Sequence, residues 1–172
     1  SGDGEIQFMK DFFSFENAGG DYPLLGQEIA RGVPLAVFGA ADPQKYFIAS
    51  LVGGRAVYIT ADALTAKRAY EAISALSGKK CALLSAKDEV LTYRKALSKD
   101  ALYRRLTALY EWQAGADVLI ADIEALVQIV PKKVNFFHLS AGMELDLHTL
   151  TEALTRAGYT REYTVDGKGA FS

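Results

Sequence analysis

From residue 33 onward, short apolar runs rich in β-branched residues alternate with longer stretches of helical periodicity. That alternation is the signature of a parallel sheet flanked by helices. The runs are Val33–Phe38, Ala56–Thr60, Cys81–Ser85, Val118–Ala121 and Val134–Leu139. Between the second and third, Leu64, Ala69, Ile73 and Leu76 share one helical stripe, with Asp62 placed to cap its start and Gly78 to end it. Between the third and fourth, Asp100 to Gly115 sets Leu102, Leu106, Leu109 and Tyr110 at helical spacing. After Ala121, Asp122 is placed to cap a short helix running to Val130, which Pro131 stops. Half of the 172 residues are apolar, enough for one sizeable core and the beginning of a second domain.

Three regions follow from the pattern. Residues 1–23 form an N-terminal helical or flexible segment, in which Phe8, Met9, Phe12, Phe13 and Phe15 would line one side of a short helix. Met9 is a plausible natural start. Residues 24–140 form the α/β domain, and 141–172 open a small α+β unit. In that unit the helical run Leu145–Ala157 leads to the alternating segment Tyr159–Asp166, a tight turn at Gly167-Lys168-Gly169 and an apolar restart at Ala170-Phe171, a pattern that predicts a hairpin. The restart two residues before the end gives the expectation that the chain is a piece of something longer. A helix and a hairpin bury little surface, so residues 146–172 are expected to pack on the main domain or to order poorly.

Charge and composition exclude several function classes. A net charge of −2 gives no overall drive toward nucleic acid, and the pairs Arg104-Arg105 and Lys132-Lys133 are too short to form a stripe along a phosphate backbone. Both pairs read as solvated faces. The single cysteine, Cys81, excludes an internal disulfide framework and fits a reducing, cytoplasmic compartment, where it reads as a small buried hydrophobe. No apolar stretch approaches the ~20 residues of a membrane span, and no basic segment leads into an apolar signal. His138 and His148 lack metal-ligand spacing, so no metal is expected. His138 and Ser140 have no glycine turn beside them of the kind an acyl-transfer site needs. Glu144 and Asp146 suit the positive start of the following helix better than acid–base work.

The segment Gly39-Ala-Ala-Asp-Pro-Gln-Lys-Tyr46 is the candidate chemical site. It falls between an apolar run and a helix-like run, Tyr46 to Val52, where a phosphate-binding loop of the form G-x-x-x-x-G-K-[ST] would lie. Gly39 and Lys45 match. Gln44 stands where the second glycine lets backbone N–H groups curl around phosphate, and Tyr46 stands where a small hydroxyl would hold Mg²⁺. Pro43 removes one more N–H donor. The strand Val118–Ala121 leads into Asp122-Ile-Glu124, without the adjacent carboxylates that activate water in a helicase-type ATPase. These substitutions suggest an ATPase fold that no longer uses ATP.

Several segments in order carry a resemblance. Val37 to Leu51, Arg104-Arg105-Leu106 with Ala108-Leu109-Tyr110, Ala116 to Gln128, Gly142 to Asp146, Gly158-Tyr159 and Gly169 to Ser172 resemble the N-terminal region of the bacterial transcription-repair coupling factors, the Mfd family. That region is similar to the damage-recognition protein UvrB, and the match covers about residues 24–172. The resemblance implies a degenerate P-loop, RecA-like domain similar to UvrB domain 1a, followed by the start of a domain-2-like unit. It also implies lost nucleotide binding and no enzymatic activity of its own. ATP and Mg²⁺ would be cofactors of motor domains elsewhere in the factor, which also supply the contacts to RNA polymerase and DNA. The implied role is recruitment of UvrA in nucleotide excision repair, masked by intramolecular contact with the rest of the factor until the motor engages stalled polymerase. The family's UvrA-contacting Arg-Gly pair would follow Ser172, so the region near Gly167, Gly169 and Phe171 would lie beside it. The aromatic-rich hairpin of UvrB has no counterpart between Ser85 and Asp117, where Lys87 to Gly115 reads as a compact helical connection.

Two other readings stay open on the residues alone. Lys45, opening a helix after an apolar run, suits a nucleotide-binding domain with an atypical loop. An unrelated α/β enzyme would instead need a polar pocket near residues 39–46, 60–62, 85–88 and 121–122.

Overall fold

The computed structural model describes residues 14–86, 99–128, 136–165, 167 and 169–172, which divide into two compact units within 1–134 and 135–172. The first contains helices α1 (Tyr22–Ala30) and α2 (Asp42–Leu51), strand β1 (Ala56–Thr60), helix α3 (Ala63–Ser77), strand β2 (Cys81–Leu84), helix α4 (Lys99–Gln113), strand β3 (Val118–Asp122) and helix α5 (Ile123–Val127). The three strands form one parallel sheet in the order β1-β3-β2. β3 lies at the centre and all five of its residues are buried. This explains its unbroken apolar run, since a strand covered on both faces has no position to spare for water.

Alternation along β3 builds two cores. Val118 and Ile120 face Tyr46 of α2 and Ala66, Ala69 and Ile73 of α3. Leu119 and Ala121 face Ala82 and Leu84 of β2, Ala108 of α4 and Ala125 of α5. The small alanines let the helices approach the sheet closely. β1 is covered on one face only: Val57 and Ile59, in register with Leu119 and Ala121, remain 49% and 56% exposed.

The caps of α3 and α5 match the sequence expectation. The Asp62 carboxylate accepts the Thr65 N–H at 2.8 Å, and Gly78 ends α3 in the left-handed region at φ 59°. The buried Asp122 carboxylate accepts the Ala125 N–H at 2.7 Å, and α5 stops at Val127, short of Val130. α2 begins at Asp42 rather than at Tyr46, because Pro43 suits a first helical turn, where its missing N–H has no intrahelical partner to lose.

Val33–Phe38 is not a strand. It is extended and largely exposed, and among the described residues no hydrogen bond engages the main chain of Val33–Ala40. The two crossovers β1-α3-β2 and β2-α4-β3 run in opposite directions with helices on opposite faces, so they share one hand. A connection of that hand through α2, on the face of α3, would place Val33–Phe38 beyond the outer edge of β1. No described strand pairs with that edge. An apolar composition therefore reads as a strand, yet the segment has no ladder to join. Of the run Val134–Leu139, residues 136–139 are not in a strand either, and 134–135 lie outside the described residues, as do Phe8, Met9, Phe12, Phe13, Lys132, Lys133 and residues 87–98.

Arg105 overturns the expectation of a solvated pair. It is 2% exposed, and its guanidinium donates to the carbonyls of Ser85 at 3.0 Å, Ala125 at 2.9 Å and Gln128 at 3.4 Å. It ties the end of β2 to α5 and the residue that follows it, and burial pushes its pKa down. A planar fork of donors satisfies several carbonyls at once where a lysine could not. At the opposite end of α4, Arg55 stacks on the Trp112 ring at 3.7 Å and donates to the Trp112 and Ala116 carbonyls, fixing the entry to β1. Lys79 donates to the Val52 carbonyl at the end of α2, and burial lowers its pKa. Cys81 is half-buried against the α3-side core.

The second unit contains helix α6 (Leu147–Arg156) and two short strands, β4 (Thr160–Arg161) and β5 (Ala170–Phe171). α6 starts two residues later than expected because Asp146 is its cap, accepting the Thr149 N–H at 2.9 Å. The two strands pair in parallel, Thr160 with Ala170 and Arg161 with Phe171, which corrects the expected hairpin. The chain between them closes a wider loop than a two-residue turn. No described residue of this unit is buried.

Candidate functional site

The segment Gly39–Tyr46 sits at the start of α2, and the residues that depart from the phosphate-loop pattern, Gln44 and Tyr46, make structural contacts. Gly39 keeps a left-handed backbone at φ 74°, and a Cβ there would meet no atom within 4 Å, so the constraint on it is conformational rather than steric. Gln44 turns back so that its Oε1 accepts the Ala41 N–H at 2.8 Å. This is the return half of a capping box; Ala41, at the N-cap, has no acceptor to supply the other half. An N–H of the kind that would be offered to a phosphate oxygen is thus occupied from within.

Lys45 points to Asp42, with Nζ 2.9 Å from Oδ1. The hydrogen bond to Asp42, and then its charge, raise the Lys45 pKa, so the side chain remains an ammonium through the neutral range. The pair is exposed, so the cation is both solvated and paired. Asp42, in the first turn, adds negative charge where a phosphate would need positive.

Tyr46 does not face the loop. It is 9% exposed, lies in the core with Ala69 and Ile73, and meets the Tyr58 ring edge-on at 6.4 Å between centroids. The position that would carry a metal-binding hydroxyl supplies an apolar wall between α2 and the sheet. Burial raises the pKa of Tyr58. The loop therefore brings Gly39, Gln44 and Lys45 together at one helix start and directs Tyr46 away.

Beside the loop runs an open groove of 560 Å³ between α1, the segment Leu35–Ala40 and α2. Tyr22, Leu25, Leu35, Val37, Phe38 and Ile48 form its apolar walls, and its polar groups are Asp21, Glu28 and Gln44. This groove was not legible in the sequence, because α1 carries no motif and the groove exists only where α1, Leu35–Ala40 and α2 come together. The pocket expected of a small-molecule enzyme differs in place: residues 60–62, 85–88 and 121–122 do not line this groove. Thr60 and Asp62 are engaged with each other and with Thr65 at the start of α3, and Asp122 caps α5.

The remaining candidates are dispersed. His138 and Ser140 lie in an exposed stretch without regular structure, so strand alternation does not align them. His148 lies 4.0 Å from Glu152 on the exposed face of α6. Asp146 is a cap, and its bond from the Thr149 N–H holds its carboxyl below the usual range. Near the C-terminus, the Gly169 carbonyl accepts the Thr160 N–H at 2.9 Å and the Phe171 carbonyl accepts the Glu162 N–H at 2.8 Å. Gly167 is exposed. Among the described residues no group of histidine, cysteine and carboxylate side chains could hold a metal, and no helix is long and apolar enough to cross a membrane.

No protein-family model, curated protein or solved structure matches the chain.

Proposed function

We propose that this chain is a non-catalytic, UvrB-like module of a bacterial transcription-repair coupling factor, which recruits UvrA in transcription-coupled excision repair. In this reading residues 24–140 are a degenerate P-loop domain, and residues 141–172 open the UvrA-facing unit. The observation that carries the reading is the self-occupied loop: Gln44 on the Ala41 N–H, Lys45 on Asp42 and Tyr46 in the core. Three separate components of phosphate and metal binding are each turned to a structural use, as expected of a nucleotide fold retained as a scaffold. The order of segments from Val37 to Ser172 supports the family. The module works in the cytoplasm, contacts the rest of its factor intramolecularly, and meets polymerase and DNA only through other domains.

Purified UvrA titrated onto the immobilised chain tests the role. Saturable binding that is gained or strengthened when the family's Arg-Gly strand is joined after Ser172, and is unaffected by Lys45→Ala, is expected. Absence of binding by the extended chain, or binding that depends on Lys45 and Mg-ATP, would contradict it.

A further inference from the structure

Two independent features meet at Val33–Ala40. The first is an unpaired main chain: the segment is extended, and none of its N–H or C=O groups is hydrogen-bonded among the described residues. The second is the groove along it, whose apolar wall continues onto exposed side chains, with Phe38 90% and Leu24 59% exposed. An unpaired edge calls for another backbone, and a contiguous exposed apolar surface calls for apolar side chains. A compact metabolite could fill the groove but would not run along the edge. An added strand supplies both, through ladder bonds and through side chains at alternate positions.

Charge narrows the partner. Among the described residues the two acids of the groove are Asp21 and Glu28, and no basic side chain lines it. Glu28 is already paired with Arg31 at 2.6 Å, whereas Asp21 has no ion pair among the described residues. The groove thus presents one uncompensated carboxylate at the start of α1.

We propose that Val33–Ala40 and its groove form a docking site for an extended segment of a partner protein, added as a strand along Leu35–Phe38, apolar at alternate positions and carrying a lysine or arginine that reaches Asp21. The four residues from Leu35 to Phe38 span about 13 Å when extended, so roughly four residues of the partner engage, and the left-handed Gly39 ends the ladder on that side. Pro34, which has no N–H, marks the end where the ladder stops. The site lies in the first unit and is separate from the region near Gly167, Gly169 and Phe171.

Fluorescence anisotropy with labelled octapeptides of alternating valine and threonine tests this, one bearing lysine at its first position and one at its last. At least one is expected to bind saturably. Its affinity should fall at least tenfold when alternate amides along one edge of the peptide are N-methylated, and again with Val37→Asp. Asp21→Lys should weaken the lysine peptide and strengthen its glutamate counterpart. Circular dichroism confirms that each variant is folded; both substituted side chains, Val37 and Asp21, are at the surface. No saturable binding by either peptide, or binding of the N-methylated peptide within twofold of the parent, would overturn the proposal. Sedimentation of the chain alone as a dimer that Val37→Asp dissociates would also overturn it, because the occupant would then be a second copy.

Discussion

Arg105 shows how a single side chain can hold together segments that are far apart in sequence. Its guanidinium collects carbonyls from the residue after β2, from the middle of α5 and from the residue that follows α5. Leaving a buried carbonyl unpaired costs about 1–3 kcal/mol. Arg105→Met should therefore lower stability by more than about 2 kcal/mol, and Arg105→Lys should recover only part of that, because one ammonium cannot reproduce the fork. Midpoints of urea unfolding for the three proteins check this; a Met variant within about 0.5 kcal/mol of wild type would remove the role. The pair Arg104-Arg105 gave no hint of it, since a charged residue beside another on an amphipathic helix reads as solvent-facing. The buried fate of Arg105 depends on loop carbonyls that only the folded chain brings near. Tyr46 is a related case: the residue that spoils the loop motif was legible, but its work as a core wall was not, because that requires α3 and Tyr58 to be in place.

At the level of elements, the helices are held at their starts by carboxylates whose titration can be followed. Asp62 and Asp146 each accept N–H and hydroxyl donation from the threonine three residues on, and the bond from the threonine N–H is the main cause of their lowered pKa. Because the folded pKa is below the unfolded one, the stabilisation is fully present above the ordinary aspartate value of about 3.9 and is lost as pH falls through the lower folded value. Helical circular dichroism of the wild type should show an acid-dependent loss in that window. Asp62→Asn, which keeps an acceptor but does not titrate, should show a smaller one; identical acid profiles would contradict the assignment. These caps, and the strands β1, β2 and β3, were legible because each is a local signal: an acceptor before an apolar stripe, or a β-branched run bounded by turns. Val33–Phe38 has the same composition as the true strands and fails for a non-local reason, the lack of a neighbouring ladder. The parallel pairing of β4 and β5 was likewise hidden, since Gly167 and Gly169 suggest a tight turn whatever the direction in which the strands finally meet.

Taken whole, the described chain is one well-filled α/β unit and one thinly packed unit, and these should differ in stability. The centre of the first is β3, buried along its length between two clusters, whereas the second has no buried residue among those described. Native-state amide exchange should show the β3 amides opening only with global unfolding, and those of β4, β5 and α6 exchanging through local opening. Equal protection in both units would contradict this. The segment Gly39–Tyr46 belongs to the first unit, so its behaviour can be tested on a stable scaffold. Lys45 and Gln44 are suitable positions for substitution because both act at the surface end of α2, whereas replacing Tyr46 would open the core. The decisive measurement is isothermal titration of the chain with Mg-ATP, alongside Gln44→Gly and Lys45→Ala. No saturable heat from the wild type is expected, and none from Lys45→Ala. Saturable binding by the wild type that disappears in Lys45→Ala would contradict the reading of this fold as a nucleotide site converted to a scaffold.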